Sequence, residues 1–181
     1  GGNTLTPTVD AAGTYTLTVT DPQTGCSASD ATTVTTDTAP PNASATGGGT
    51  LTCTETSLQL NGSSTTPGVS FAWSGPGSFT STMQNPTVNL AGTYTLTVTG
   101  ANGCTSTATA VVFLDDAAPD VFAEGSLLPC ENGTVIISAF TDGTSPMYSW
   151  NGPNGFTSNA QFPEVEEPGT YVVVATTANG C

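Results

Sequence analysis

The chain has no positively charged side chain. Its 181 residues include no Lys, Arg or His but 14 Asp and Glu, so the formal net charge is −14 at pH 7. Nucleic-acid binding needs Lys and Arg to displace the counterions of the phosphates, and binding to anionic lipid needs a basic patch. Zinc sites built on His, Ser–His and Cys–His nucleophiles and Schiff-base lysines also need residues that are missing. These absences exclude nucleic-acid partners and most enzyme chemistry.

Long hydrophobic runs and helical periodicity are missing as well. No run reaches the roughly 18 to 20 apolar residues of a membrane span, so direct membrane insertion is not expected. The chain is instead rich in Thr, which occurs 37 times, and it has 21 Gly and 13 Pro. Thr alternates with Tyr, Leu and Val, which is typical of half-buried strands separated by turns. We predict an all-β sandwich with strands near residues 57–60, 70–73, 87–90, 93–99, 105–114, 135–140, 147–150, 164–166 and 171–174.

The sequence repeats itself at an interval of about 78 residues. Trp73 and Trp150 are 77 positions apart, and a Gly-Thr-Tyr motif recurs at 13–15, 92–94 and 169–171. Pro-containing linkers at 37–41 and 115–119 separate the units. We therefore divide the chain into three segments. The first (1–37) is the C-terminal part of a truncated repeat, the middle (38–115) is a complete repeat, and the last (116–181) is a repeat without its final strand.

The five cysteines follow the same repeat. Cys53 and Cys104 are 51 positions apart, as are Cys130 and Cys181. Equal spacing in two units predicts one disulfide within each repeat, Cys53–Cys104 and Cys130–Cys181. Cys26 is then left unpaired because its repeat is truncated. A free thiol or an inter-chain bridge at Cys26 is the alternative. Disulfides in turn indicate an extracellular protein.

Few residues are candidates for binding. Asp115, Asp116 and Asp120 lie in the second linker and could bind calcium, which prefers several carboxylate or carbonyl oxygens; a solvated hinge is the alternative. No other metal and no cofactor is expected. Trp73 and Trp150 could stack on sugars, but their place on the third strand favours the core of a sandwich. The middle segment has Glu55 as its only acid before the linker, so it cannot supply the carboxyl pair of a glycosidase.

Four stretches resemble a known group of proteins. Residues 73–81, Asn85-Pro86, residues 91–99 and residues 102–104 closely resemble the Ig-like/PKD-like tandem repeats of Bacteroidota cell-surface and secreted proteins, including gliding-motility adhesins exported by type IX secretion. The resemblance implies Ig-like β-sandwich modules in stalks, adhesins or filaments at the cell surface. Asp37-Thr38-Ala39 fits an O-glycosylation motif of these bacteria, which makes Thr38 a candidate attachment site.

These observations predict a non-catalytic, structural repeat segment of an extracellular filament, stalk or adhesin. Its expected partners are neighbouring repeats, or copies of itself in a fibre. The alternative is an adhesin module that binds surface glycans through exposed aromatic side chains. We expect the chain to be a window of a longer array; if its termini are genuine, strand donation between copies could build a filament. Exposed tryptophans would favour glycan binding, and buried tryptophans would favour the stalk.

Overall fold

The computed structural model describes residues 6–129 and 133–181, and these residues form an all-β protein. The first segment contains strands β1 (Gly13–Thr20) and β2 (Ser27–Val34). The middle segment contains β3 (Ser44–Thr46), β4 (Gly49–Thr52), β5 (Leu58–Gln59), β6 (Asn61–Ser63), β7 (Ser70–Gly75), β8 (Phe79–Ser81), β9 (Thr87–Val88), β10 (Gly92–Thr99) and β11 (Thr105–Asp115). The last segment contains β12 (Val121–Glu124), β13 (Val135–Ile136), β14 (Ser138–Thr141), β15 (Met147–Asn151), β16 (Thr157–Ser158), β17 (Glu164–Val165) and β18 (Val172–Thr176). Two short 3-10 turns, Pro76–Ser78 and Pro153–Gly155, are the helical elements among the described residues.

The middle segment is a two-layer sandwich. One layer is a five-stranded sheet in the order β4-β11-β10-β7-β8, in which β4 runs parallel to β11 and the other neighbours are antiparallel. The other layer consists of the short pairs β3–β6 and β5–β9. The two layers touch at Gly62, where an added Cβ would meet the side chains of Leu96 and Trp73.

Alternation along the strands produces the core of this sandwich. In β10, Tyr94, Leu96 and Val98 are buried, and the threonines between them are partly exposed. The apolar side chains of facing strands complete one cluster of nine buried residues: Leu51, Leu60, Trp73, Val88, Tyr94, Leu96, Val98, Ala110 and Val112. Burial along β10 therefore alternates with the period of two that is typical of a half-buried strand.

The last segment repeats this plan on a smaller scale. Its sheet has the order β16-β15-β18, and the pairs β12–β14 and β13–β17 complete it. A separate cluster of six buried residues lies inside it: Ile137, Ala139, Tyr148, Trp150, Val165 and Ala175. The described residues of this segment contain no strand in the position that β11 occupies in the middle segment.

The first segment is an antiparallel hairpin of β1 and β2. Gly13 pairs with Val34 at its open end, and Thr20 pairs with Ser27 at the turn. Its apolar side chains are exposed, including Leu17 at 65% and Val19 at 62%.

The expected fold class, an all-β protein of Ig-like sandwiches, is confirmed. In the middle and last segments every expected strand is present, although the one expected near 135–140 is divided into β13 and β14. Several short strands were not expected: β3, β4, β6, β8, β12 and β16. These are two to four residues long, too short for alternation to be recognised. The segment boundaries stay predictions.

Candidate functional site

The repeated sequence motifs meet around one tyrosine in each segment. The hydroxyl of Tyr94 donates to the carbonyl oxygen of Leu90 at 2.8 Å, and Tyr171 makes the same bond to Glu167 at 2.8 Å. In the first segment, Tyr15 donates to Ala11 at 2.7 Å. This bond four residues upstream is the tyrosine corner of Ig-like sandwiches. Burial raises the pKa of the Tyr94 hydroxyl above its ordinary value of 10.0.

The glycine-proline motif that follows each tryptophan packs against this tyrosine. An added Cβ on Gly75 would collide with the ring of Tyr94, and one on Gly92 would collide with Pro76. Phe79 completes the cluster, with its ring edge-to-face against Tyr94 at a centroid distance of 5.4 Å.

The last segment contains the same cluster. Gly152 lies against Tyr171, Gly169 lies against Pro153, and Phe156 packs edge-to-face on Tyr171 at 5.2 Å. The two most recognisable motifs of the sequence are therefore one packing unit in each sandwich.

Both tryptophans belong to the core. Trp73 is 2% exposed and Trp150 is 1% exposed. Their indole N–H groups donate to the carbonyl oxygens of Gln84 at 3.2 Å and Ala160 at 3.0 Å. The interpretation of these residues as core tryptophans is confirmed, and neither ring is available to stack on a sugar.

The loop at the end of β18 binds the linker that precedes its own segment. The side-chain amide of Asn179 donates to Asp115 Oδ1 at 2.9 Å and to the carbonyl oxygen of Ala117 at 3.1 Å. Asn179 Oδ1 in turn accepts from the Cys181 N–H at 3.1 Å. Gly180 lies at a φ of +78° and so close to Thr54 that a Cβ would collide with it. We call this arrangement of loop 177–181 and linker 115–117 the lower joint.

The middle segment has an equivalent upper joint, formed by loop 100–104 and linker 37–39. The side-chain amide of Asn102 donates to the carbonyl oxygens of Ala39 at 2.9 Å and Asp37 at 3.3 Å. Asn102 Oδ1 accepts from the Cys104 N–H at 3.0 Å. Neither asparagine was expected to bind a linker, although Asn-Gly-Cys recurs at 102–104 and 179–181.

The predicted disulfides within each repeat are wrong. Cys53 is bonded to Cys181, with a Cα–Cα distance of 5.2 Å, so the bond crosses the lower joint. Cys53 follows β4, whose Thr52 pairs with the far end of β11, whereas Cys104 precedes the start of β11. Eleven strand residues span about 33 Å, and a disulfide requires Cα atoms within about 7 Å. Cys53 and Cys104 are therefore at opposite ends of the sandwich.

The remaining cysteines have different outcomes. Cys130 lies outside the described residues, but the predicted Cys130–Cys181 bond fails because Cys181 is bonded to Cys53. Cys104 is a partly exposed free thiol, and Cys26 is an exposed one. The statement that truncation explains the unpaired Cys26 stays a prediction.

The aspartates of the second linker do not come together as a calcium site. Among residues 6–129 and 133–181, no group of three or more potential ligand side chains is found. Asp115 accepts from Asn179, and the backbone N–H of Asp120 donates to Asp142 Oδ1 at 2.9 Å. Asp116 is exposed. Thr38 lies exposed in the upper joint, between the two residues whose carbonyl oxygens bind Asn102.

A cleft of about 460 Å³ lies in the last segment. Its walls include Ser126 and Leu128 on one side and Gly169 and Tyr171 on the other. Their counterparts 77 positions earlier flank β11, because Val112 pairs with both Gly49 and Gly92. The cleft therefore corresponds to the space that β11 fills in the middle segment.

One carboxyl group in the first segment has a shifted pKa. Asp21 begins the hairpin loop, where it accepts from the Gln23 N–H at 2.9 Å and from the Thr24 hydroxyl at 2.7 Å. These bonds stabilise the carboxylate and lower the pKa of Asp21 below its ordinary value of 3.8. The loop corresponds to loops 100–104 and 177–181 of the two joints.

No protein-family model matches the chain, and no curated protein matches it. The crystal structure of murine CEACAM1b aligns with 76% of this chain and 93% of its own, at 11% identity and a TM-score of 0.34. So low a TM-score carries no functional argument. Among the described residues, no helix is both long and apolar enough to span a membrane.

Proposed function

We propose that this chain is a structural, non-catalytic segment of an extracellular stalk or filament, in which Ig-like sandwiches are joined end to end. The observation that carries the proposal is the repeated joint. Asn102 and Asn179 each bind the linker at the start of their own segment, at Ala39 and Ala117, and each also donates across the segment boundary, to the carbonyl oxygen of Asp37 and to Asp115 Oδ1. A spacer needs a defined angle between neighbouring modules, and such bonds hold a linker that would otherwise act as a hinge.

The packing of the sequence motifs that recur within the chain supports the same function. The glycines, prolines and aromatic rings that recur between the segments pack against one another around Tyr94 and Tyr171. A binding site would present such side chains to a ligand, whereas here they pack against one another along β7, β8 and β10 and along the equivalent strands of the last segment. The repeated residues thus serve the stability of each module.

The disulfide across the lower joint supports a location outside the cell. Disulfides persist in oxidising compartments and are rare in the reducing cytosol. The lack of Lys and Arg removes every cleavage site for trypsin-like proteases, which suits an exposed stalk. Modification at Thr38 belongs to the same proposal, and its partners would be neighbouring repeats or copies of the chain.

Glycan binding is the second candidate function, and it would depend on exposed aromatic residues other than Trp73 and Trp150. With both tryptophans buried, the exposed rings near the joints are Phe113 at 61% and Phe122 at 65%. A glycan array with the intact chain tests this function. Specific binding that is lost in Phe113→Ala or Phe122→Ala would favour the adhesin, and the absence of any binding would leave the stalk.

Small-angle X-ray scattering of the intact chain tests the stalk. We expect a single elongated shape, and we expect Asn102→Ala with Asn179→Ala to broaden the distribution of interatomic distances. Asn151→Ala, an exposed residue on the outer face of β15, is the matched control and should leave the profile unchanged. The measurement is repeated with a reducing agent, because the Cys53–Cys181 bond also restrains the lower joint. A wild-type profile as broad as that of the double variant would contradict the proposal.

A further inference from the structure

The late cysteines of the two joints are placed alike, but only one of them is bonded within the chain. Cys104 and Cys181 each end a loop in which their N–H binds an asparagine Oδ1, at 3.0 and 3.1 Å. Both asparagines then bind the preceding linker. At the lower joint, the cysteine reaches Cys53 of the preceding segment. At the upper joint, the equivalent thiol of Cys104 is free.

The fold of the sandwich fixes the end of the module at which each of these cysteines lies. The early cysteine of the middle segment, Cys53, lies beside the end of β11 and therefore at the exit of the module. The late cysteine, Cys104, lies before the start of β11 and beside the linker through which the chain enters. An early cysteine thus faces the module that follows, and a late cysteine faces the module that precedes.

We propose that the repeats are stapled in sequence, with the early cysteine of each module bonded to the late cysteine of the next. This inference rests on the proposed tandem array. It assigns Cys104 to an early cysteine in the module before residue 38, and Cys26 to one in the module before that. In sequence, Cys130 is the counterpart of Cys53 and would bond to the late cysteine of a following module.

The chemistry of each staple is an ordinary thiol oxidation. Two thiols lose two protons and two electrons as their Sγ–Sγ bond forms. The oxidant is a disulfide, either of a thiol–disulfide oxidoreductase or of a small molecule such as oxidised glutathione. Its own S–S bond breaks and accepts the two electrons and two protons as two thiols.

Staples between modules change how the chain responds to tension. The Cys53–Cys181 bond encloses residues 54–180, so a pull on the two ends bypasses the lower joint and, of the strands of the two sandwiches, loads only β3 and β4. Bonds within each repeat would instead enclose 54–103 and 131–180 and leave the joint under load. In a stalk with disulfides across its joints, the disulfide and not the linker therefore carries the tension at each joint.

Disulfide mapping of the intact, oxidised chain is the first test. Free thiols are alkylated, and the unreduced protein is cut with chymotrypsin and an Asp-specific protease, because trypsin has no site. We expect a peptide pair linking Cys53 with Cys181, and alkyl label on Cys26 and Cys104. Linked pairs Cys53–Cys104 and Cys130–Cys181 would overturn the proposal. An elongated shape with those bonds would still support the stalk, so the two failures are distinguishable.

A lengthened chain tests the pairing of Cys104. A second copy of residues 38–115 is inserted between residues 37 and 38, which preserves the Asp-Thr-Ala-Pro sequence at the new joint. In the forward variant, Cys104→Ser is made in the first copy and Cys53→Ser in the second. The remaining Cys53 can then meet the remaining Cys104 only across the joint.

The reverse variant is the matched control. It keeps Cys104 in the first copy and Cys53 in the second, which places the two thiols at the far ends of the pair. We expect a linked Cys53–Cys104 peptide, with loss of alkylation at both residues, in the forward variant alone. Equal linkage in both variants, or none in the forward one, would overturn the proposal. Circular dichroism of both variants confirms that the strands are formed.

Discussion

Thr52 lies directly opposite Asp115 in the parallel pair of β4 and β11. This register places the next residue, Cys53, at the exit of the middle segment, about 33 Å from the start of β11. It therefore separates Cys53 from Cys104 and brings Cys53 to the loop that ends in Cys181. Equal spacing in sequence reflected the repeat of the module, and the strand register decided which cysteines could meet.

The first prediction concerns the two late cysteines. Cys181→Ser removes a bond that closes a loop of 128 residues, so it should lower the free energy of unfolding under oxidising conditions by up to about 5 kcal/mol on the chain-entropy model. Cys104→Ser is the control and should have little effect, because that thiol is free. Thermal unfolding with and without reducing agent measures both. A larger loss for Cys104→Ser would contradict the observed pairing.

The second prediction concerns the tyrosine corner. Tyr94→Phe removes the hydroxyl that donates to the carbonyl oxygen of Leu90 in a partly buried hydrogen bond, so we expect a loss of about 0.5 to 1.5 kcal/mol. Tyr15→Phe removes the equivalent bond at an exposed site and should cost less. Urea denaturation of the intact chain compares the two. Equal losses of unfolding free energy in the two variants would contradict the expectation that burial strengthens this hydrogen bond.

The third prediction concerns a glycine that packs on the same ring. Gly75→Ala places a methyl group against Tyr94, and overpacking of this kind should cost about 1 to 3 kcal/mol. Gly125→Ala is the control, because nothing lies within 4 Å of its added Cβ. The two variants are compared by the midpoint of thermal unfolding. An unchanged unfolding midpoint for Gly75→Ala would mean that the Tyr94 ring moves aside without loss of stability.

The fourth prediction concerns pH. The pKa of Asp21 is lower in the hairpin than in an unfolded chain, so its contribution to stability is present above pH 3.8 and is lost as the pH falls through the lower, folded pKa. Thr24→Val removes one donor and should move the pKa of Asp21 part of the way back, since the Gln23 N–H remains. Carboxyl carbon shifts measured by NMR follow the titration. Thr33→Val, on the opposite strand, should not change it.

The fifth prediction concerns the cleft of the last segment. Adding a copy of residues 105–115 after Cys181 should fill the cleft, because those residues occupy the equivalent space in the middle segment. We expect a higher melting temperature and slower amide exchange in β18. The matched control carries Ala110→Asp and Val112→Asp in the added copy, which puts charge on its buried face. Equal stabilisation by both additions would show that the cleft does not accept the strand.

Much of the fold could be predicted because it depends on local patterns. The alternation in β10 and β11, the Gly-Thr-Tyr motif and the core position of the tryptophans are all visible in the sequence. The joints could not be predicted in the same way. Asn102 and Asn179 lie in ordinary turn sequences, and their partners are backbone carbonyls more than 60 positions away.

One octapeptide occurs twice in the chain and is buried to a different extent each time. Gly13–Thr20 and Gly92–Thr99 have the same sequence, and both are strands with a tyrosine corner. Leu17 is nevertheless 65% exposed, whereas its counterpart Leu96 is fully buried, because β1 belongs to a lone hairpin and β10 faces the second layer of the middle sandwich. Local alternation and turn chemistry determined the strands and the repeat. Burial and the partner of each cysteine depended on which strands met across the fold, and only the three-dimensional structure contains that information.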